Sequence, residues 1–149
     1  MGSLKERLAA DLKDAMKARE RDRLDALRML ATSVRNREVE VGHELTDEEL
    51  QTVAATEVKR RKEAVEAYEK AGREELVRKE RAEQTVLESF LPPQLSEREV
   101  DRLVNEAIEA TGASSPGDLG KVMGYVMGKA RGRVEGGVVN AKVRERLGG

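Results

Sequence analysis

Three glycines on one predicted helix near the carboxyl end have a spacing that suggests contact with another chain. They recur at four-residue intervals and form a stripe without side chains, made of Gly120, Gly124 and Gly128. Each glycine costs a helix on the order of 1 kcal/mol relative to alanine. The neighbouring row, about 100° further around the helix, consists of Lys121, Tyr125 and Lys129. Cations beside an open backbone are suited to binding phosphates, and a second protein helix packed on the glycines is the alternative.

The carboxyl-terminal segment has a local excess of positive charge. Residues 112–149 hold seven basic and three acidic side chains, although the whole chain has a net charge of only -1. The seven basic side chains are Lys121, Lys129, Arg131, Arg133, Lys142, Arg144 and Arg146. Because nucleic-acid binding depends on clustered charge, we predict that these cations, the glycine stripe and Tyr125 form an RNA-binding surface. Tyr125 either stacks on a splayed base or is an ordinary half-exposed tyrosine.

Other charged residues do not show this asymmetry. The basic cluster Lys59–Lys62 spreads around the circumference of a predicted helix. We predict that this cluster is mostly solvated, with one face available to extend an RNA footprint. The many carboxylates follow the polar faces of the predicted helices, so we expect them to be solvated as well.

The residue types exclude several kinds of catalytic site. The chain has no cysteine, which removes disulfides, thiolate nucleophiles and cysteine-based metal sites. The only histidine, His43, follows Gly42 in a predicted loop, and the glycines do not have the spacing of a Walker A phosphate loop. Amide hydrolysis needs an activated nucleophile beside a base. We therefore predict no catalytic residue, no metal site and no cofactor.

Helix signals run through the whole chain. Charged residues make up 38% of it and aromatic residues 2%, which is typical of helical proteins. Ser3, Thr46 and Ser96 each precede a glutamate by three residues, the pattern of a capping box at a helix start. Ser115 followed by Pro116 indicates a further start. The apolar residues between these starts keep helical spacing, and no alternation typical of strands stands out.

Pro92 and Pro93 interrupt the helical pattern, because neither can donate a helical hydrogen bond. We predict an all-α fold with a bundle of about four helices over residues 1–93, a Pro-Pro hinge and a three-helix unit over residues 94–149. No apolar run approaches the roughly 20 residues of a membrane-spanning helix. The amino terminus also lacks the apolar core of a signal peptide. These features predict a cytoplasmic protein without membrane contact.

Several ordered stretches of the chain resemble one protein family. The stretches are Arg23–Leu30, Lys59–Lys62, Tyr68–Arg73, Leu87–Ser96, Gly112–Ser115 and Asp118–Gly124, with Gly132, Gly136 and Asn140. On these residues the chain resembles the YqeY proteins, part of the GatB/YqeY family, over essentially its whole length. The resemblance is specific because several stretches are long and occur in the right order.

The resemblance implies an accessory role in the amidation of tRNA-bound amino acids. The module is similar to the carboxyl-terminal tail of GatB, a subunit of the amidotransferase that acts on misacylated Glu-tRNA(Gln) or Asp-tRNA(Asn). It is also similar to an appendix of some glutaminyl-tRNA synthetases. In those settings the tail is a helical tRNA-binding element, whereas glutamine hydrolysis and amide transfer belong to other domains and subunits. Freestanding YqeY proteins are often described as carbon-nitrogen ligases that use glutamine as amide donor. That description is inherited from the larger assembly.

Three hypotheses about function follow from the residues and the resemblance together. The first is a tRNA-binding accessory module without a catalytic centre of its own. The second is a protein-interaction module that uses the glycine stripe to dock on an aminoacyl-tRNA synthetase or an amidotransferase subunit. The third is a glutamine-dependent enzyme, which the absence of an evident nucleophile disfavours.

Overall fold

The computed structural model describes residues 3–148, and the regular elements in that range are all helical. The helices are α1 (Leu4–Ala18), α2 (Arg21–Val41), α3 (Asp47–Lys70), α4 (Glu74–Glu88), α5 (Glu97–Thr111), α6 (Leu119–Ala130) and α7 (Gly136–Leu147). The predicted all-α class is therefore confirmed. The predicted domain ranges also include residues 1, 2 and 149, which lie outside the described part of the chain.

Cα positions divide the chain into two compact units, Met1–Leu91 and Pro92–Gly149. The amino-terminal unit contains α1 to α4, and the carboxyl-terminal unit contains α5 to α7. Pro92 and Pro93 lie in the segment between α4 and α5, in the second of these units. Each unit has a hydrophobic core of its own.

Leucines from all four helices fill the core of the amino-terminal unit. Leu8 of α1, Leu27 of α2, Leu50 of α3 and Leu87 of α4 are buried in one cluster. Phe90, just beyond α4, closes the cluster with 1% of its surface exposed. The four leucines occupy the apolar face that the helical spacing of the sequence predicts.

The helix starts follow the predicted capping residues. The Thr46 hydroxyl accepts a hydrogen bond from the Glu49 amide, and the Glu49 carboxylate accepts one from the Thr46 amide, so this capping box is complete. Ser96 and Glu99 form the same pair of bonds at the start of α5. At Ser3 only the hydroxyl half of the predicted box forms, with the hydroxyl accepting from the Glu6 amide at 3.1 Å. Capping satisfies amides that the first helical turn leaves without partners.

The link between α1 and α2 is short and left-handed. Arg19 has a φ of 56°, the one positive φ of a non-glycine residue in the described chain. Its amide bonds to the Met16 carbonyl, and the Glu20 amide bonds to the Ala15 carbonyl at 3.1 Å. Glycine usually occupies this position after a helix, because a side chain disfavours the left-handed region.

Valines fill the core of the carboxyl-terminal unit. Each of its three helices contributes two buried valines, namely Val100, Val104, Val122, Val126, Val139 and Val143. The sequence predicts a helix from Ser115, whereas the structure has a tight 3₁₀ turn at Pro116–Asp118 before α6 begins. The Asp118 carboxylate accepts hydrogen bonds from the amides of Ser114 and Ser115, which fixes this turn and lowers the Asp118 pKa.

The segment that leads into α5 is tied to the turn between α6 and α7. The Leu95 amide donates to the Arg133 carbonyl at 2.8 Å, and the Gln94 side-chain amide donates to the Gly132 carbonyl at 2.8 Å. The Arg133 Nε donates to the Pro93 carbonyl at 2.8 Å. Gly132 has a φ of 78°, and a Cβ there would lie 3.5 Å from Pro92. These bonds hold residues 92–95 within the carboxyl-terminal unit.

Candidate functional site

The glycine stripe lies on the exposed face of α6. Gly120, Gly124 and Gly128 are all exposed, and a Cβ added to any of them would meet no heavy atom within 4 Å. The opposite side of the helix carries Val122 and Val126, which are fully buried. The described chain therefore does not use the stripe for its own packing, and α6 presents bare backbone to its surroundings.

Tyr125 and Lys129 are held by a carboxylate of α5. The Tyr125 hydroxyl and the Lys129 ammonium each donate a 2.9 Å hydrogen bond to Glu106 Oε2. The Lys129 nitrogen also lies 4.8 Å from the centre of the Tyr125 ring, a cation-π contact. These contacts, first with Tyr125 and then with Glu106, raise the pKa of Lys129, and the bond from Lys129 is the main cause that lowers the pKa of Glu106. The row beside the stripe is thus ordered and partly neutralised.

Two predicted phosphate ligands on α7 are engaged with side chains of α5. Lys142 lies 2.8 Å from Asp101 and 3.4 Å from Glu97, and only 22% of its side chain is exposed. The bond to Asp101 is the main cause that raises the pKa of Lys142. One turn further along α7, Arg146 donates a hydrogen bond to the Asn105 side chain. Both cations stabilise the packing of α7 on α5.

The remaining predicted cations differ in how many contacts they form with other groups of the described chain. Arg133 is bonded to the Pro93 carbonyl, so phosphate binding by Arg133 would compete with this tie. Lys121 is exposed and lies 3.8 Å from Asp118. Arg131 and Arg144 are exposed and form no ion pair within residues 3–148. Lys121, Arg131 and Arg144 are therefore the cations most available beside the glycine stripe and at the end of α7.

A buried polar network in the amino-terminal unit was missed at the sequence level. The predicted solvation of the carboxylates is wrong for Glu57 and Glu83, which are 2% and 3% exposed. The predicted solvation of Lys59–Lys62 is wrong for Arg61, whose side chain is 15% exposed. The signal lay in the spacing, because Glu57 and Arg61 follow Leu50 and Ala54 by seven residues and so fall on the core face of α3.

Arg61 connects α3 to α4 and α2 in this network. Its Nε lies 3.2 Å from Glu80, its Nη1 lies 3.7 Å from Glu83, and Nη1 also donates to the Met29 sulfur at 2.9 Å. One oxygen of Glu83 has no hydrogen-bond partner. Burial, reinforced by the neighbouring Glu80 charge, raises the pKa of Glu83.

No group of three or more His, Cys, Asp or Glu side chains within residues 3–148 has the arrangement of a metal site. In the same range, no helix combines the length and the apolar character needed to cross a membrane.

Comparison with known proteins identifies the family. The pattern of the family described as Yqey-like protein matches residues 5–147. Two curated relatives carry the name "Altered inheritance of mitochondria protein 41, mitochondrial". The relative from Pyrenophora tritici-repentis is 33% identical over 122 residues, which cover 78% of this chain and 67% of that protein. The relative from Lachancea thermotolerans is 30% identical over 112 residues, which cover 73% of this chain and 60% of that protein. The chain thus spans about two thirds or less of the relatives it matches, and it belongs to the YqeY-like protein family.

Proposed function

We propose that this chain is a tRNA-binding accessory module with no catalytic centre of its own, related to the tail of the tRNA-dependent amidotransferase. The observation that carries the proposal is the open glycine stripe on α6. Gly120 and Gly128 lie about 12 Å apart along the helix axis, and a Cβ on any of the three glycines would meet no heavy atom within 4 Å. We propose the cytoplasm as its location, as the sequence predicts.

The charges around the stripe favour a phosphate backbone as the ligand. Lys121 borders the stripe, and Arg131 follows the last turn of α6 without an ion pair in the described chain. Contacts to phosphates need cations and backbone amides but little apolar surface. With two tyrosines and one phenylalanine in the chain, recognition depends on RNA shape and charge more than on stacking of many bases.

The proposal includes no amide-transfer step by this chain. A nucleophile for glutamine hydrolysis needs a base within hydrogen-bonding distance. The chain has no cysteine, and His43 is exposed in the loop between α2 and α3, where its Nε2 lies 3.7 Å from Glu49. In this proposal glutamine hydrolysis belongs to a partner, and release of ammonia from glutamine by the purified full chain with charged tRNA would contradict it.

The proposal is tested by binding of tRNA to the full chain and to a variant with a filled stripe. Gly124→Leu and Gly128→Leu together cover the open backbone with side chains, while leucine favours the helix. We expect the wild-type protein to bind tRNA with an affinity that falls steeply with salt, and the double variant to bind at least about tenfold more weakly.

Ala9→Leu is the matched control, because Ala9 is an exposed small residue of a helix, α1, in the amino-terminal unit. This variant should bind tRNA like the wild type. Absence of tRNA binding by the wild type, or equal binding by the filled-stripe variant, would contradict the proposal.

A protein helix is the second candidate for the stripe. The partly buried Met123 and Met127 pack against the core of the carboxyl-terminal unit, and they border the open glycines on the side opposite Lys121. Methionine side chains adapt to the shape of a docking partner. In this case an aminoacyl-tRNA synthetase or amidotransferase subunit would co-purify with the chain in about 1 M salt and after RNase treatment, conditions that release ligands held through phosphates.

A further inference from the structure

Three arginines form a straight row on an exposed face of α2. Arg21, Arg28 and Arg35 are spaced by seven residues, which is two helical turns. Neighbouring members are about 10.5 Å apart along the axis, so the row is about 21 Å long. All three residues are exposed, whereas Leu27 and Leu30 on the other side of the helix are buried. This arginine row is separate from the residues discussed for α6.

The arginine row lies outside the ion pairs formed by α2. None of its members forms an ion pair within the described chain, although the charge of Arg35 helps to lower the pKa of Glu38. The acidic residues of α2 are instead paired with other cations. These pairs are Asp22 with Arg78 at 3.7 Å, Asp25 with Lys79 at 3.6 Å, Glu38 with Lys5 at 2.8 Å and Glu40 with Arg37 at 2.8 Å. The face therefore presents three positive charges that form no ion pair in the described chain, of which that of Arg35 is partly offset by Glu38.

The position of Arg21 gives no structural reason for its charge. It is the first residue of α2, where the positive end of the helix dipole disfavours a cation. Arg28 and Arg35 follow on the same face and likewise contribute no ion pair to the fold. Side chains that carry charge without stabilising the helix are available for an external anion.

The remaining side chains on this face indicate what kind of anion it contacts. Thr32 and Val39 share the face with the arginine row, and Val39, which is 79% exposed, is the one exposed aliphatic side chain among the described residues of α2. A docking helix would find almost no apolar surface to bury. Guanidinium groups, in contrast, bind phosphates through paired hydrogen bonds and need no apolar seam.

We infer that the arginine row of α2 is a contact surface for the phosphate backbone of a folded RNA. The inference goes beyond the proposed function, because it places phosphate contacts in the amino-terminal unit and does not depend on α6. Each arginine contacts a separate phosphate, and the deep, narrow major groove of an RNA duplex keeps side chains away from the base edges. The surface therefore reads the shape of a duplex and not its sequence.

The experiment compares two triple variants of the full chain that remove the same charge. Arg21→Gln, Arg28→Gln and Arg35→Gln together remove the row. Arg37, Arg73 and Arg81 are exposed arginines of the same unit that are already paired with carboxylates, so their change to glutamine is the control. Binding of a fluorescent RNA duplex of about 20 base pairs is measured by anisotropy at several salt concentrations.

We expect the row variant to bind the duplex at least about tenfold more weakly than the control. We also expect the slope of log affinity against log salt to decrease by about 2 to 3, because each lost phosphate contact removes about 0.9. Circular dichroism should show unchanged helix content, since glutamine is a good helix former. Equal binding by the two triple variants, or an unchanged salt slope, would overturn the inference. In another outcome, the row variant binds tRNA as well as its control does, while the filled-stripe variant loses tRNA binding. That result would also overturn the inference, and it would leave the proposed function intact.

Discussion

Tyr125 and Glu106 are joined across α6 and α5 by a hydrogen bond of 2.9 Å. The oxygen that accepts this bond also accepts one from Lys129, so a single carboxylate holds two of the three members of the row beside the glycine stripe. A phosphate that approached the stripe would compete with Glu106 for Lys129. Glu106 therefore lowers the positive charge that α6 offers to an anion.

Replacing Glu106 by glutamine should strengthen RNA binding. The substitution removes a negative charge next to the stripe and releases Lys129 for a phosphate, so we expect a severalfold gain in tRNA affinity and a steeper dependence on salt. Glu109→Gln is the control, because Glu109 is an exposed acidic residue of the same helix and carries the same charge. Equal gains for both variants would show that only net charge matters.

Alanine at two of the glycines should have opposite effects on stability. A Cβ at Gly124 or at Gly112 would meet no atom within 4 Å, but Gly112 has a φ of 67° whereas Gly124 lies inside a regular helix. We expect Gly124→Ala to raise the free energy of unfolding by about 1 kcal/mol. Gly112→Ala should lower it by about 1 kcal/mol, because a side chain disfavours the left-handed backbone. Urea unfolding followed by circular dichroism measures both, and a loss of stability in Gly124→Ala would mean that the stripe is packed.

Glycine in place of Arg19 should stabilise the amino-terminal unit. Arg19 has a φ of 56°, where glycine has no steric cost, so we expect Arg19→Gly to raise the free energy of unfolding by roughly 0.5–1 kcal/mol. Lys17→Gly, two residues earlier and inside α1, should lower it by about 1 kcal/mol. Thermal unfolding of both variants checks the pair. Destabilisation by Arg19→Gly would show that the Arg19 side chain itself supports the fold.

The buried Glu83 should make stability decrease as the pH rises. Its pKa is raised in the folded protein, so its protonated carboxyl stabilises the fold fully below the ordinary value of 4.5 and loses that effect as the pH passes the raised value. Glu83→Gln stays neutral at every pH. We expect the free energy of unfolding of this variant, relative to the wild type, to increase between about pH 4 and about pH 7.

Glu63→Gln is the control for this pH dependence, because Glu63 is an exposed acidic residue of α3. Its difference from the wild type should stay constant over the same range. A constant difference for Glu83→Gln as well would mean that Arg61 and Lys79 stabilise the Glu83 carboxylate as much as burial destabilises it.

Local signals were sufficient to predict much of the fold. The capping boxes at Thr46 and Ser96, and the apolar spacing after them, depend on residues within a few turns of each other. The stripe on α6 also depends only on residues close in sequence, because the period of a helix decides which residues share a face.

Contacts between helices were beyond the sequence alone. Arg61 meets Glu80 and Glu83 only because α3 and α4 pack together, and nothing in the charge pattern of α3 specifies that pairing. The bond from Tyr125 to Glu106 likewise joins residues 19 positions apart. Such pairings determine which cations remain available for a phosphate. Counting the seven basic residues in the sequence therefore could not show which of them are available.

The hydrogen bonds of residues 92–95 have a practical consequence for dissecting the protein. A truncated form that began at α5 would lose the donors that satisfy the Gly132 and Arg133 carbonyls, and the Arg133 guanidinium would lose its acceptor. Loss of these bonds between residues 92–95 and the turn after α6 would alter the end of α6, which contains Gly128, although the glycine itself would be unchanged. An excised carboxyl-terminal unit should therefore begin before Pro92.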